Sequence, residues 1–289
     1  MRIKINLMNK IKGLAKLLRF ELPFSAGVCV VMGQMLAKGE FASVLTTIFG
    51  FASVFLISAS ILVLNDYFDV ETDKINAPYR PIPSNLVLPS EALFFSMLML
   101  LTGLFLSYLI GITVLSISIV LTIIGFLYNR YFKKMGLLGN LMVSFSVGTT
   151  FIYGGATVGL PFNKMVIFFS LIAALIDLGE EIAADSMDIQ GDLLINSNSL
   201  AIKYGKSAAV KISSCIFFFV ILLSFVPFIA DWFSLIYLIP IGIMDISIAY
   251  SSLRLLNTET GKGRKFIRWI YLGATFGLIV FIIMRFLRM

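Results

Sequence analysis

Stretches of roughly 20 mostly apolar residues recur along almost the whole chain, and this recurrence limits the possible folds more than any other feature. A helix of that length crosses the hydrocarbon of a bilayer while satisfying its own backbone hydrogen bonds. Nine such stretches are read, at about 20–37, 41–64, 91–109, 111–128, 138–157, 163–183, 211–229, 232–253 and 267–287. With 59% hydrophobic and only 13% charged residues, the chain has too little polar surface to cover itself against water. The expected fold class is therefore all-α: a polytopic membrane protein with about nine transmembrane helices in one bundle around a central cavity. Residues 1–289 form a single domain on this reading, with cap loops on the cytoplasmic side.

The first 19 residues have no continuous apolar core and are not a cleavable signal. Ile3, Leu7, Ile11, Leu14 and Leu18 recur at helical spacing among lysines and arginines, which predicts an amphipathic segment at the membrane surface. Alternate connections share the positive charge very unequally: 19 of the 23 Lys and Arg fall on one side. Lys38, Lys164, Arg285 and Arg288 fall on the other. The positive-inside rule then puts the N-terminus and every long loop in the cytoplasm and the C-terminus outside. The basic run 254–268 reads as part of this signal and as a lipid headgroup contact. No basic domain stands clear of the spans, so the net charge of +7 does not point to nucleic acid, and no obligate protein partner is implied.

The absence of histidine removes His-ligated zinc, Ser-His-Asp triads and imidazole bases. Cys29 and Cys215 each sit inside an apolar run and read as small packing residues.

Acidic residues concentrate in two short windows, each where a span emerges on the cytoplasmic side. NDYFDVETD holds Asp66, Asp69 and Asp73; EEIAADSMDIQGD holds Asp185, Asp188 and Asp192. Both spell D-x-x-D-x-x-x-D, and every member of one is 119 residues from its counterpart. On a helix this spacing places the three carboxylates on one face. Asn65 borders the first face and Glu181 extends the second. Carboxylates so close repel unless a cation sits among them, and an all-oxygen set favours magnesium or calcium. Opposed clusters suit a diphosphate clamped through magnesium. Cations to meet the phosphates are Arg80, in a proline-rich turn, and Arg130, Lys133 and Lys134 beside Tyr128 in YNRYFKKMGLLGN. At membrane depth, Asp177 is expected to face the bundle interior, and Asp245 to serve packing or a lateral opening.

NDYFDVETD, NAPYRPIPS and DSMDIQGD together resemble the paired aspartate motifs of the UbiA superfamily of intramembrane prenyltransferases. The resemblance extends over most of the chain, and within it INAPYRPIPS and YNRYFKKMGLLGN are most like the branch that adds the second prenyl chain of archaeal ether lipids. It implies a Mg2+ cofactor held by Asn65, Asp66, Asp69, Asp73, Asp185, Asp188 and Asp192, with Asp66, Asp69, Asp185 and Asp188 as the catalytic aspartates. Arg80, Tyr128, Lys133 and Lys134 would bind substrate. The substrates implied are an isoprenoid diphosphate, geranylgeranyl diphosphate, and a glycerol phosphate lipid in the membrane. One departure stands out: members often carry Arg-Pro-x-Asn at the start of the first span, where this chain has Arg19-Phe20-Glu21-Leu22-Pro23, so Glu21 is the candidate there. The alternatives are transfer to an aromatic acceptor in quinone synthesis and, in another class, divalent-cation transport. The CDP-alcohol phosphotransferase motif needs Gly after its second Asp, and Asp69 is followed by Val70.

Overall fold

A computed structural model describes residues 7–194, 196–257 and 262–287. Among these residues every element is helical. Helix α1 (Leu7–Leu17) meets α2 (Glu21–Lys38) at a 50° bend. Then come α3 (Val44–Phe68), α4 (Val70–Asn76), α5 (Pro89–Ile110), α6 (Ile112–Leu127), α7 (Leu137–Thr157) and α8 (Lys164–Asp185). The rest comprises α9 (Ile189–Leu194), α10 (Leu200–Tyr204), α11 (Lys206–Ser224), α12 (Val226–Ile229), α13 (Leu238–Leu256) and α14 (Arg264–Phe286).

A long helix lies on each of the nine apolar stretches, but the count of nine spans is not established. Among the described residues, seven helices are long and apolar enough to cross a membrane, or eight if α1 and α2 make one bent span. The helix outside this set is α8, whose inner end carries Asp177, Glu180, Glu181 and Asp185. Membrane-type surfaces are plain elsewhere: Phe94, Leu98, Leu101 and Phe105 stand exposed along α5. In water such a patch would drive association, whereas lipid solvates it. The chain is a multi-pass membrane protein.

Helix ends follow local chemistry. Ser43 Oγ accepts the Thr46 N–H at 3.1 Å and Asn163 Oδ1 the Met165 N–H at 2.9 Å, each satisfying an orphan donor at a helix start. At α5, Pro89 opens the first turn and the Glu91 carboxylate accepts the Leu88 N–H at 3.1 Å. Helix α2 packs between α3 and α7, α8 between α7 and α11, and α14 between α13 and α2, closing a ring. At the α2–α7 crossing, a Cβ on Gly154 would lie 2.2 Å from the Val30 carbonyl oxygen, so only glycine permits the approach.

The 119-residue offset between the acidic motifs runs through the architecture. It carries α2 onto α7, α3 onto α8, α4 onto α9 and α5 onto α11 to within a few residues. Each motif consequently sits at the same place in its half, where a long helix gives way to a short one. The two short helices, α4 and α9, pack on each other.

Within the ring lies a cavity of about 610 Å³, walled by α2, α3, α6, α7, α8, α13 and α14. Its α14 wall runs from Arg264 to Phe281, about 25 Å at the helical rise. The walls are apolar toward Met32, Phe151, Phe169 and Phe281 and charged at the other end.

Candidate active site

The first motif is a bent continuation of α3. The Asp69 N–H still reaches the Asn65 carbonyl at 2.9 Å and the Asp73 N–H the Asp69 carbonyl at 2.8 Å, although the helix breaks at Asp69. Asp66, Asp69 and Asp73 are 2%, 8% and 5% exposed, and carboxylates so buried need partners. They have them. Arg19 and Arg80 both approach Asp66, Arg80 Nη1 at 3.4 Å. Arg80 Nη1 also donates to both Asp73 oxygens at 2.6 and 2.5 Å, and Lys133 pairs with Asp69. Burial alone would lower the Arg80 pKa, but the Asp66 and Asp73 carboxylates outweigh it and raise the value above normal.

Local folding aims these cations. Arg19 occupies the α1–α2 joint with φ +44°, a left-handed conformation costly for a side-chain-bearing residue. The Pro81 carbonyl accepts the N–H groups of Leu86 and Val87 at 2.9 and 3.0 Å, closing the turn behind Arg80. Lys133 follows a π-helical turn, Tyr128–Phe132. Gly136 then holds φ +64°, and a Cβ there would fall 2.2 Å from the Asn198 carbonyl oxygen. The Asn198 N–H in turn donates to the Lys134 carbonyl at 2.8 Å, tying the Lys133 turn to the segment after α9. Asn65 donates to Asn129 Oδ1 at 2.9 Å, and Asn129 to the Ile61 carbonyl at 3.2 Å.

The second motif folds differently. Where a continuous helical face was expected, a tight turn follows α8: the Met187 N–H reaches Ala184 O at 2.8 Å and the Asp188 N–H reaches Asp185 O at 3.3 Å. Asp185 accepts from Asn140 Nδ2 at 2.9 Å, and Asp188 pairs with Arg264. Burial, with Asp188 beside it, pushes Asp192 up to about 6. Further along α8, Asp177 accepts from Ser144 at 3.0 Å, while Glu180 Oε1 is buried without a hydrogen-bond partner. Among the described residues, no three acidic side chains converge on one point.

Asp177, Glu180, Glu181 and Asp188 line the charged end of the cavity together with Arg19, Arg264, Arg268 and Tyr271. Arg268 Nε donates to Glu21 Oε2 at 2.9 Å, its Nη2 pairs with Glu21 Oε1, and the Tyr271 hydroxyl donates to Glu21 Oε2 at 2.9 Å.

The fold thus gathers Asp66, Asp69, Asp73, Arg80 and Lys133 into one cluster, and the α4–α9 contact brings the second motif against it. Tyr128 lies half-buried beside α7, its Cε2 3.3 Å from where a Gly139 Cβ would be. Lys134 and Arg130 are exposed, and Arg130 stacks on Phe68 with its Cζ 5.8 Å from the ring centre. Asp177 faces the cavity as expected, whereas Asp245 bridges to Ser224 of α11 at 2.7 Å. Cys29 and Cys215 are unpaired. Sequence reasoning took Arg264 and Arg268 for a topology signal and a lipid headgroup contact; in the structure both line the cavity and pair with acidic groups, Asp188 and Glu21. Their spacing with Tyr271, four and seven residues, was the available sign of a shared helix face. Asn140 was missed as well.

The UbiA prenyltransferase family matches residues 26–283. The digeranylgeranylglyceryl phosphate synthase of Methanocaldococcus jannaschii is 34% identical over 267 residues, covering 91% of this chain and 93% of that protein. That of Methanococcus vannielii is 32% identical over 276 residues, covering 94% and 98%. A solved structure of a digeranylgeranylglyceryl phosphate synthase shares 31% identity with a TM-score of 0.69, covering 94% of this chain and 98% of the other. A UbiA homologue from Archaeoglobus fulgidus, solved bound to GPP and Mg2+, is 16% identical, covers 93% of this chain and 99% of its own, and has a TM-score of 0.65, a likeness of fold. With matched motifs, a shared fold and a family match running nearly from end to end, this chain belongs to the UbiA prenyltransferase family.

Proposed function

We propose that this chain transfers a geranylgeranyl group from geranylgeranyl diphosphate to the free hydroxyl of geranylgeranylglyceryl phosphate, making the second ether bond of an archaeal-type membrane lipid. One observation carries the reading: a long apolar cavity opens at a charged end flanked by two acidic motifs interleaved with guanidinium and ammonium groups. The name carried by the archaeal relatives supports the glycerol phosphate acceptor.

The chemistry follows from what each region tolerates. A prenyl tail enters the apolar cavity without desolvation cost, leaving the diphosphate at the charged end. Arg80 and Lys133, with Tyr128 nearby, take the diphosphate oxygens. The allylic carbon–oxygen bond breaks with its electron pair leaving on the diphosphate, the acceptor hydroxyl oxygen bonds to the allylic carbon, and its proton passes to the released diphosphate or a nearby carboxylate. Apolar walls keep water from the electron-poor carbon. Magnesium, when bound, supplies Lewis-acid stabilisation of the departing diphosphate, held by Asn65, Asp66, Asp69 and Asp73 from one half and Asp185, Asp188 and Asp192 from the other.

The donor set supports magnesium. It is all oxygen, as hard dications require. Asp66, Asp69, Asp73 and Asp188 already engage positive groups, so these positions accept positive charge. With metal and diphosphate bound, the carboxylates would hold the metal, and Arg80 and Lys133, released from them, would hold the diphosphate. On this reading the motif-bearing end faces the cytoplasm, as the distribution of Lys and Arg expects.

The test is transfer of labelled geranylgeranyl diphosphate by the purified chain in detergent, with magnesium or a chelator, to geranylgeranylglyceryl phosphate or to an aromatic acid. Magnesium-dependent label on the glycerol phosphate lipid is expected. Label on the aromatic acid alone would keep the prenyltransferase and remove the acceptor.

A further inference from the structure

Two anionic groups must meet at the charged end of the cavity, the donor diphosphate and the acceptor phosphate, and the cations already assigned serve the first. Of the other cations in the segment after α6, Arg130 stacks on Phe68 and Lys134 is exposed, and neither is among the residues that line the cavity. The α14 wall carries what that side needs. Arg264, Arg268 and Tyr271 share one face of α14 and line the cavity, whereas Arg80 and Lys133 are engaged with Asp73 and Asp69 of the first motif.

We propose that Arg268, with Arg264 beside it, binds the phosphomonoester of the acceptor lipid. This rests on the glycerol phosphate reading above. Glu21 takes the Nε and one Nη2 proton of Arg268, leaving three of its five N–H donors for a ligand. The Tyr271 hydroxyl donates to the same carboxylate oxygen that accepts from Arg268 Nε. The exposed guanidinium is thereby oriented by two hydrogen bonds before substrate arrives, and a fork so placed suits a phosphate monoester. Glu21 and Tyr271 are positioning residues. Thr275 donates to Ser25 at 2.7 Å one turn deeper, so the α2–α14 seam stays polar just below the arginines and gives way to apolar walls beyond them. An acceptor with its phosphate on Arg268 therefore has its hydroxyl carried toward the acidic motifs, since Asp188 pairs with Arg264 one turn away.

The test compares geranylgeranylglyceryl phosphate with its dephosphorylated counterpart, geranylgeranylglycerol, as acceptors for the full chain in neutral detergent. Wild-type protein is expected to prefer the phosphorylated acceptor. Arg268→Gln should raise the KM for that acceptor roughly 10- to 100-fold, the size of a lost charge-assisted hydrogen bond. The preference should collapse toward equality, with Arg268→Lys regaining part of it. Adding anionic phospholipid vesicles to the wild type should leave the preference in place; its loss would show a general headgroup site and overturn the assignment. So would a donor KM that rises as much as the acceptor KM, which would make Arg268 a diphosphate ligand. An equal loss on both acceptors would reduce the Glu21–Arg268 pair to a structural tie. Wild-type protein inactive on the phosphorylated acceptor would instead sink the function proposed above, whatever the variants do.

Discussion

The two acidic motifs occupy the same register in the two halves of the fold yet stand in opposite electrostatic settings. Asp66, Asp69 and Asp73 are deeply buried and paired with Arg19, Arg80 and Lys133. Asp185 and Asp192 meet an amide and a neighbouring carboxylate instead, and the α8 wall beneath them adds Asp177, Glu180 and Glu181. Arg264 pairs with Asp188 there, and the Lys133 charge also acts on Asp192. Identical spacing therefore yields one motif with a cation on each aspartate and one in which Asp188 pairs with Arg264 while Asp185 meets an amide. On the proposed function, the first motif meets metal and diphosphate with a counter-ion already on each aspartate, and the second with fewer of its carboxylates so paired.

The hardest blow to this contrast comes from neutralising one aspartate in each half. Asp66→Asn and Asp188→Asn are each expected to lower prenyl transfer on the order of 10²-fold or more, with the protein still extracted intact, because each removes a charge without removing apolar packing. Activity retained by either variant would show that one motif works without the other. Arg80→Ala comes next: the donor KM should rise roughly 10- to 100-fold, and an unchanged value would remove Arg80 from the diphosphate site.

Magnesium sharpens the comparison at the level of stability. Adding it to the substrate-free chain should raise Tm. Asp185→Asn should shrink that rise more than Asp73→Asn, since Asp73 already has Arg80 as counter-ion. Equal effects would mean that the halves share the metal evenly.

Gly136→Ala tests the tie between halves. Its Cβ would strike the Asn198 carbonyl in a conformation that disfavours side chains, at a cost of about 1–3 kcal/mol, visible as a lower Tm together with reduced transfer. Asn140→Ala should have the smallest effect, about 1 kcal/mol from one hydrogen bond to Asp185, seen as a few-fold fall in rate.

Legibility in the sequence was uneven for physical reasons. Apolar runs near 20 residues declared the helices because bilayer thickness dictates their length. The same rule is weakest at α8, where Asp177, Glu180 and Glu181 line the cavity and bring charge into the apolar stretch. The paired aspartates were legible because repetition at a constant offset has no other ready source. The break at Asp69 and the turn after Asp185 were not, since helical spacing is the same whether the helix continues or bends.

What the sequence determined by itself was local and periodic: the helices, the two motifs and their matched register, and a bias of positive charge toward one side. Which cation meets which carboxylate was decided by the tertiary structure alone. Arg19 reaches Asp66 across 47 residues, Lys133 reaches Asp69 across 64, Arg264 reaches Asp188 across 76 and Arg268 reaches Glu21 across 247. No spacing rule links residues so distant. Their partners follow from the packing of the helices, which sets α14 against α2 and α8 and sets α4 against α9, so that side chains far apart in sequence share one end of the bundle.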